Sequence, residues 1–76
     1  MNAPTLLDFK EGDEVQVTMI YGARKLERLT ALGILPGERI LLRRKLPNNA
    51  VVVKVKDCDI ALSAEVARSI FVEKPE

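Results

Sequence analysis

Cys58 is the only thiol in the chain, and it stands between two carboxylates, Asp57 and Asp59. A thiolate is a nucleophile and a soft metal ligand, whereas carboxylate oxygens suit harder cations. Two carboxylates without a third ligand nearby make a weak metal site. The spacing Cys58-x-Ile60-x-Leu62 predicts that the thiol turns inward with the two aliphatic residues and acts as a small hydrophobe. Histidine is absent from the chain. That excludes Ser-His-Asp and Cys-His constellations and removes the commonest transition-metal ligand. Glu11, Asp13 and Glu14 form a second acidic cluster, which reads as a solvated turn. The glycines at 12, 22, 33 and 37 are too scattered for a phosphate-cradling loop, so nucleotide hydrolysis is not expected. No catalytic, cofactor-binding or metal-binding residue is assigned.

What is left is the chemistry of binding. Arg39, Arg43, Arg44 and Lys45, joined by Lys54 and Lys56, predict a basic strip across neighbouring strands. Small β-barrels bind nucleic acid through such strips when aromatic side chains interleave with the cations. Here the only aromatics are Phe9, Tyr21 and Phe71, and the apolar settings of Phe9 and Phe71 predict core positions. The strip is then a solvated face or a dock for an acidic protein. Tyr21, Arg24, Lys25 and Arg28 form a second surface, of residue types common among interface anchors. The residues assigned to partner binding are Tyr21, Arg24, Lys25, Arg28 and Arg43. Leu41 and Val52 are predicted on outward strand faces, where they mark a partner groove, a seat for a terminal segment, or a site of weak self-association.

The elements that position these residues follow from periodicity. Thr5 to Phe9 is a short apolar lead-in, ended by the turn cluster Glu11-Gly12-Asp13. Over 14–20, Val15, Val17 and Met19 alternate with Glu14, Gln16 and Thr18, the pattern of a half-buried strand. Ala23 to Leu32 reads as a helix whose inner face is Leu26, Leu29 and Leu32. Arg24, Lys25 and Arg28 are three cations near the helix start, where the N-terminus carries partial positive charge, a mildly unfavourable placement. Gly33, followed by Pro36-Gly37, marks the helix end and a turn into the next strand. Strands are predicted over 38–45, with Ile40 and Leu42 inward, and over 50–56, with Val51, Val53 and Val55 inward. Asn48-Asn49 forms the turn between them. After a reversal at Asp57 a short strand returns, Ser63 caps a helical turn over 64–69, and Ile70-Phe71-Val72 closes as the last strand.

The whole is a single domain, with a core over 6–72 and a frayed tail over 73–76. The expected fold is mainly β: a small, closed or nearly closed barrel of about five strands, with a short helix after the first strand and a helical turn before the last. A formal net charge of +1 gives no electrostatic push toward nucleic acid or an anionic bilayer. A lone cysteine forbids an internal disulfide and suits a reducing cytoplasm. Met1 to Phe9 lacks the features of a signal peptide, and no apolar run approaches the length of a membrane span. Any role at a membrane is expected to come through a partner.

In this order, Gly12-Asp13, Leu29-x-x-Leu32-Gly33-Ile34-x-Pro36-Gly37, the strand Val51 to Val55, Ile60-Ala61-Leu62 and Ala67-x-x-Ile70-x-Val72 resemble the FeoA family, ferrous iron transport protein A. The resemblance runs from Leu6 to Val72, and the Leu-Gly-Ile-x-Pro-Gly block is its strongest part. It departs at Lys56-Asp57 and at Asn48-Asn49, turns where glycine is common in the family. The resemblance implies an SH3-like barrel and a non-enzymatic, cytoplasmic regulator that binds the cytosolic GTPase region of a ferrous iron permease. It also implies kinship with the C-terminal domains of metal-dependent repressors, of which this chain would be a stand-alone form. Two alternatives stand beside that reading: a small nucleic-acid-binding barrel, and a metal-responsive domain.

Overall fold

The computed structural model describes residues 3–75. Strands β1 (Glu14–Ile20), β2 (Arg39–Lys45), β3 (Val51–Val55), β4 (Cys58–Leu62) and β5 (Ile70–Glu73) form one antiparallel sheet in the order β4-β3-β2-β1-β5. Helix α1 (Ala23–Ala31) joins β1 to β2, and α2 (Ala64–Arg68) joins β4 to β5. A 3₁₀ turn, Leu6–Asp8, precedes β1. Of the predicted tail, Glu73 completes β5 and Glu76 lies outside the described residues, as do Met1 and Asn2 at the other end.

A sheet with one apolar face must have that face covered. The helices available for this are short, and the described chain measures 30 × 27 × 27 Å along its principal axes. The sheet therefore wraps round its own core, as an SH3-like barrel does. Val15, Val17, Ile40, Leu42, Val51, Val53, Val55, Ile70 and Val72 point inward and are almost wholly buried. Leu6 of the 3₁₀ turn, Ile34 of the α1–β2 connection and Ala67 of α2 plug the same cluster. The 3₁₀ turn is set by local bonds: the Leu7 amide donates to Thr5 Oγ1 at 3.2 Å, and the Thr5 amide donates to Asp8 Oδ2 at 2.8 Å.

Two irregularities re-aim side chains. The β1–β5 register shifts between Val17 and Met19, the mark of a β-bulge. Strict alternation predicts Met19 inward; the extra residue sends it out, 48% exposed, and brings Ile20 into the core instead. The β2–β3 register shifts between Leu42 and Arg44, leaving Arg43 as the unpaired residue.

The end of α1 follows its sequence. The Ile34 amide bonds to Leu29 O and the Gly33 amide to Thr30 O, the two bonds of a Schellman cap. Gly33 takes φ 90° there, a left-handed conformation that an L side chain strains to adopt. The next turn closes with the Glu38 amide on Leu35 O at 3.0 Å, with Pro36 and then Gly37 at φ 94° in the centre, a type II arrangement.

Three core expectations are corrected. Leu26 and Leu32 are exposed, and only Leu29 of α1 is buried. Residues three apart on a helix drift by about 60°, so Leu26 and Leu32 flank Leu29 on opposite sides. Phe71 is half-buried, because Ile70 and Val72 both point inward and an alternating strand cannot bury the residue between them on the same face. Cys58 is exposed. It forms the last rung with buried Val55 beside the two-residue Lys56–Asp57 loop, on the edge strand β4.

Candidate functional site

α1 starts at Gly22, which makes no side-chain cap bond, and it is held mainly by Leu29. Most of its circumference is therefore available. Its inner edge and the end of β4 leave a groove of about 260 Å³ between them. Leu29, Leu32, Leu62 and Val66 supply the apolar walls, Ala61 and Ser63 the far rim, and Lys25 and Arg28 the cationic rim. A second, shallower depression of about 230 Å³ lies on the other side of Lys25, lined by Tyr21, Glu65, Arg68, Ser69 and Phe71. The Lys25 ammonium sits 3.9 Å from Glu65 Oε1, a solvent-facing pair that contributes well under 1 kcal/mol.

Of the residues assigned to partner binding, Tyr21, Lys25 and Arg28 thus border two adjoining depressions. Arg24 is exposed on the same helix and lines neither. Arg43 is not part of this group. It stands at the β2 bulge, and its Nε lies 3.4 Å from Asp59 Oδ1 on β4. Leu32, Val66, Arg68 and Phe71 belong to the same face; Leu32 and Phe71 were expected in the core, and Val66 and Arg68 were assigned no role. Phe71 had a legible signal, its position between two inward β5 residues. Leu32 and Val66 acquire their role only from the approach of α1 to α2.

The basic strip is not a uniform row of free cations. Lys45 is half-buried, and its Nζ donates to the carbonyls of Leu7 at 3.0 Å and Phe9 at 2.8 Å. Its backbone amide donates to Glu11 Oε2 at 2.8 Å. These bonds strap the N-terminal segment to β2. Leu41 and Val52, expected to face outward, are half-buried. Among the described residues no three Cys, Asp or Glu side chains converge as a metal-binding group.

Residues 5–74 match the family model of the FeoA domain. The chain belongs to the FeoA family. That family is linked to ferrous iron transport, and its members are small accessory domains. The FeoA protein from Chlorobium tepidum, solved in solution, is similar at 23% identity and a TM-score of 0.84, over 96% of this chain and 71% of that one. A crystal structure of an iron uptake regulatory protein, FeoA, is similar at 24% identity and a TM-score of 0.83, over 99% of this chain and all of the other. ScaR with bound Zn²⁺, a manganese-activated repressor, is similar at 23% identity and a TM-score of 0.84. The alignment covers 93% of this chain and 36% of ScaR, so this FeoA domain spans about a third of that protein's length. At these identities the likenesses establish the shared fold. No protein of curated function matches the chain closely. Among the described residues no helix of the FeoA domain is long and apolar enough to cross a membrane.

Proposed function

We propose that this FeoA protein is a cytoplasmic accessory factor of ferrous iron uptake. In this reading it has no catalysis of its own and binds the cytosolic GTPase region of the ferrous iron permease. The observation that carries the proposal is the FeoA match across residues 5–74, nearly the whole chain. The surface of α1 supports it: exposed Tyr21, Arg24 and Arg28 beside an apolar groove are the residue types and relief of a protein dock. The factor acts by binding one conformation of the permease more tightly than another, since equal affinity would shift nothing. The nucleic-acid alternative has less support, because two carbonyls engage Lys45 and Asp59 engages Arg43 within the basic strip.

The test is binding of the purified chain to the soluble GTPase domain of its cognate permease, with GDP and with a non-hydrolysable GTP analogue. The expected result is binding that depends on the nucleotide. Reversing both charges, Arg24→Glu with Arg28→Glu, is expected to weaken binding at least tenfold with an unchanged melting temperature, since charge pairs at such interfaces couple strongly. Unaltered affinity in that double variant excludes the α1 face.

A further inference from the structure

The two ends of the sheet are finished differently. At β5, Thr5 bridges to Phe71 and the Val72 amide donates to Pro4 O at 3.0 Å, so the N-terminal segment lies along that edge. β4 is the other edge and, among the described residues, pairs only with β3. A two-residue loop closes the β3–β4 hairpin, so its flanking rung, Val55 with Cys58, exchanges hydrogen bonds directly. Antiparallel alternation then turns Cys58, Ile60 and Leu62 toward β3, and turns the N–H and C=O of Asp59 and Ala61 to the free side. Among the described residues no turn, loop or cap hydrogen bond reaches those groups.

Edges of this kind usually carry a lysine, a proline or a bulge that blocks pairing. β4 has no lysine and no proline, and its register with β3 runs without a shift over all five residues. Its one charge, Asp59, is already matched by Arg43.

We propose that β4 pairs antiparallel with β4 of a second copy of this chain, about a two-fold axis at Ile60. Backbone geometry allows the outward-facing residues to meet in few registers. Centring on Asp59 would place two carboxylates opposite one another, which is destabilising. Centring on Ala61 would push Asp59 past the strand end to Ser63. Centring on Ile60 overlaps the whole of β4, sets Asp59 opposite Ala61 of the other copy, and closes the open backbone groups on both sides. It also stacks half-buried Ile60 on its own mate, a β-branched cross-strand pair.

Charge favours a second copy as the occupant. In this register Asp57, at the hairpin tip, falls opposite Ser63 of the other copy. Ser63 lines the groove whose rim carries Lys25 and Arg28. The Asp57 carboxylate, which shares the tip with Lys56, thus comes to a basic rim, and the two-fold axis makes the contact twice. The paired edges are short, so the dimer belongs with weak, rapidly exchanging assemblies.

Sedimentation and ¹⁵N NMR of the whole chain, from roughly ten micromolar to roughly one millimolar, the range in which contacts of this size populate, test the proposal. The weight-average mass is expected to rise from 8.5 kDa toward twice that value. The amide shifts that move are expected at Asp59, Ala61, Lys25 and Arg28. Ala61→Pro removes an amide that β3 does not use and is expected to hold the chain monomeric. Asp57→Lys and Arg28→Glu are each expected to abolish association alone and to restore it when the two variants are mixed, because both contacts are then again opposite in sign. A monomer at the highest concentration overturns the proposal. So does association whose shifts avoid β4, or a mixture of the two variants that stays monomeric.

Discussion

Lys45 shows how much one side chain's role depends on what reaches it. In the sequence it extends a run of cations, Arg43-Arg44-Lys45, and a charge run is ordinarily a solvated face. In the fold its ammonium satisfies two carbonyls of the N-terminal segment, while Arg44 one residue earlier is exposed. Lys45→Met keeps the aliphatic stem and removes the donors. It is expected to destabilise the protein by about 1–3 kcal/mol, the usual cost of leaving part-buried groups without their partner. For a domain of this size that is a fall in Tm of several degrees. Arg44→Met is expected to leave the melt unchanged. Thermal denaturation of the two variants side by side checks this, and equal Tm values would remove the strap. Cys58 makes the complementary point. Its alternation with Ile60 and Leu62 was legible, but its exposure was not, because local spacing does not say which strand ends up at the edge of the sheet.

At the level of elements, turns and caps were the most legible features. The Gly33 cap and the Pro36-Gly37 turn form as their residue types require, because backbone conformation at those positions is a local matter. Gly33→Ala is expected to cost about 1–2 kcal/mol through the left-handed backbone alone. A Cβ there would meet Val55 Cγ1 at 3.8 Å, ordinary contact distance, so steric clash adds nothing. Chemical denaturation measures the difference, and a neutral variant would mean that the cap relaxes without strain. The bulge in β1 was not legible, since nothing in Val17-Thr18-Met19-Ile20 distinguishes a bulged from a regular strand. It assigns opposite costs to neighbours. Met19→Thr is expected to change stability by less than about 0.5 kcal/mol, whereas Ile20→Ala is expected to cost about 2–5 kcal/mol. The reverse ranking in denaturant melts would restore the regular strand. The groove beside α1 exists for a related reason: Leu29 alone anchors the helix, and its two flanking leucines stay outside.

As a whole molecule, the chain stabilises a small core with little to spare. A domain of this length has a total stability of about 5–15 kcal/mol at most. Leu6 lies outside the sheet in sequence yet is fully buried within its core, where it helps cover the inner face of the sheet. Leu6→Ala is expected to cost about 2–5 kcal/mol, a large share of that total. Loss of cooperative melting, or a Tm lowered by ten degrees or more, is the expected readout; a near-native melt would mean that the N-terminal turn is dispensable. A net charge of +1 with both signs intermixed gives no long-range field, so recognition rests on local relief and local charge.

By itself the sequence determined what depends on short stretches of backbone: five alternating segments, the glycine and proline positions that end or turn them, the Ser63 cap, and the absence of histidine chemistry. Together with the FeoA-like order of its blocks, that was enough for the architecture. Only the tertiary structure decided which cations stay free, which leucines line a groove, where β1 bulges, and which sheet edge is left open. Those outcomes depend on contacts between distant segments, such as Lys45 with carbonyls 38 and 36 residues away. They also depend on how a curved sheet closes round a core of limited volume. Neither is carried by the spacing of residues along any one strand or helix.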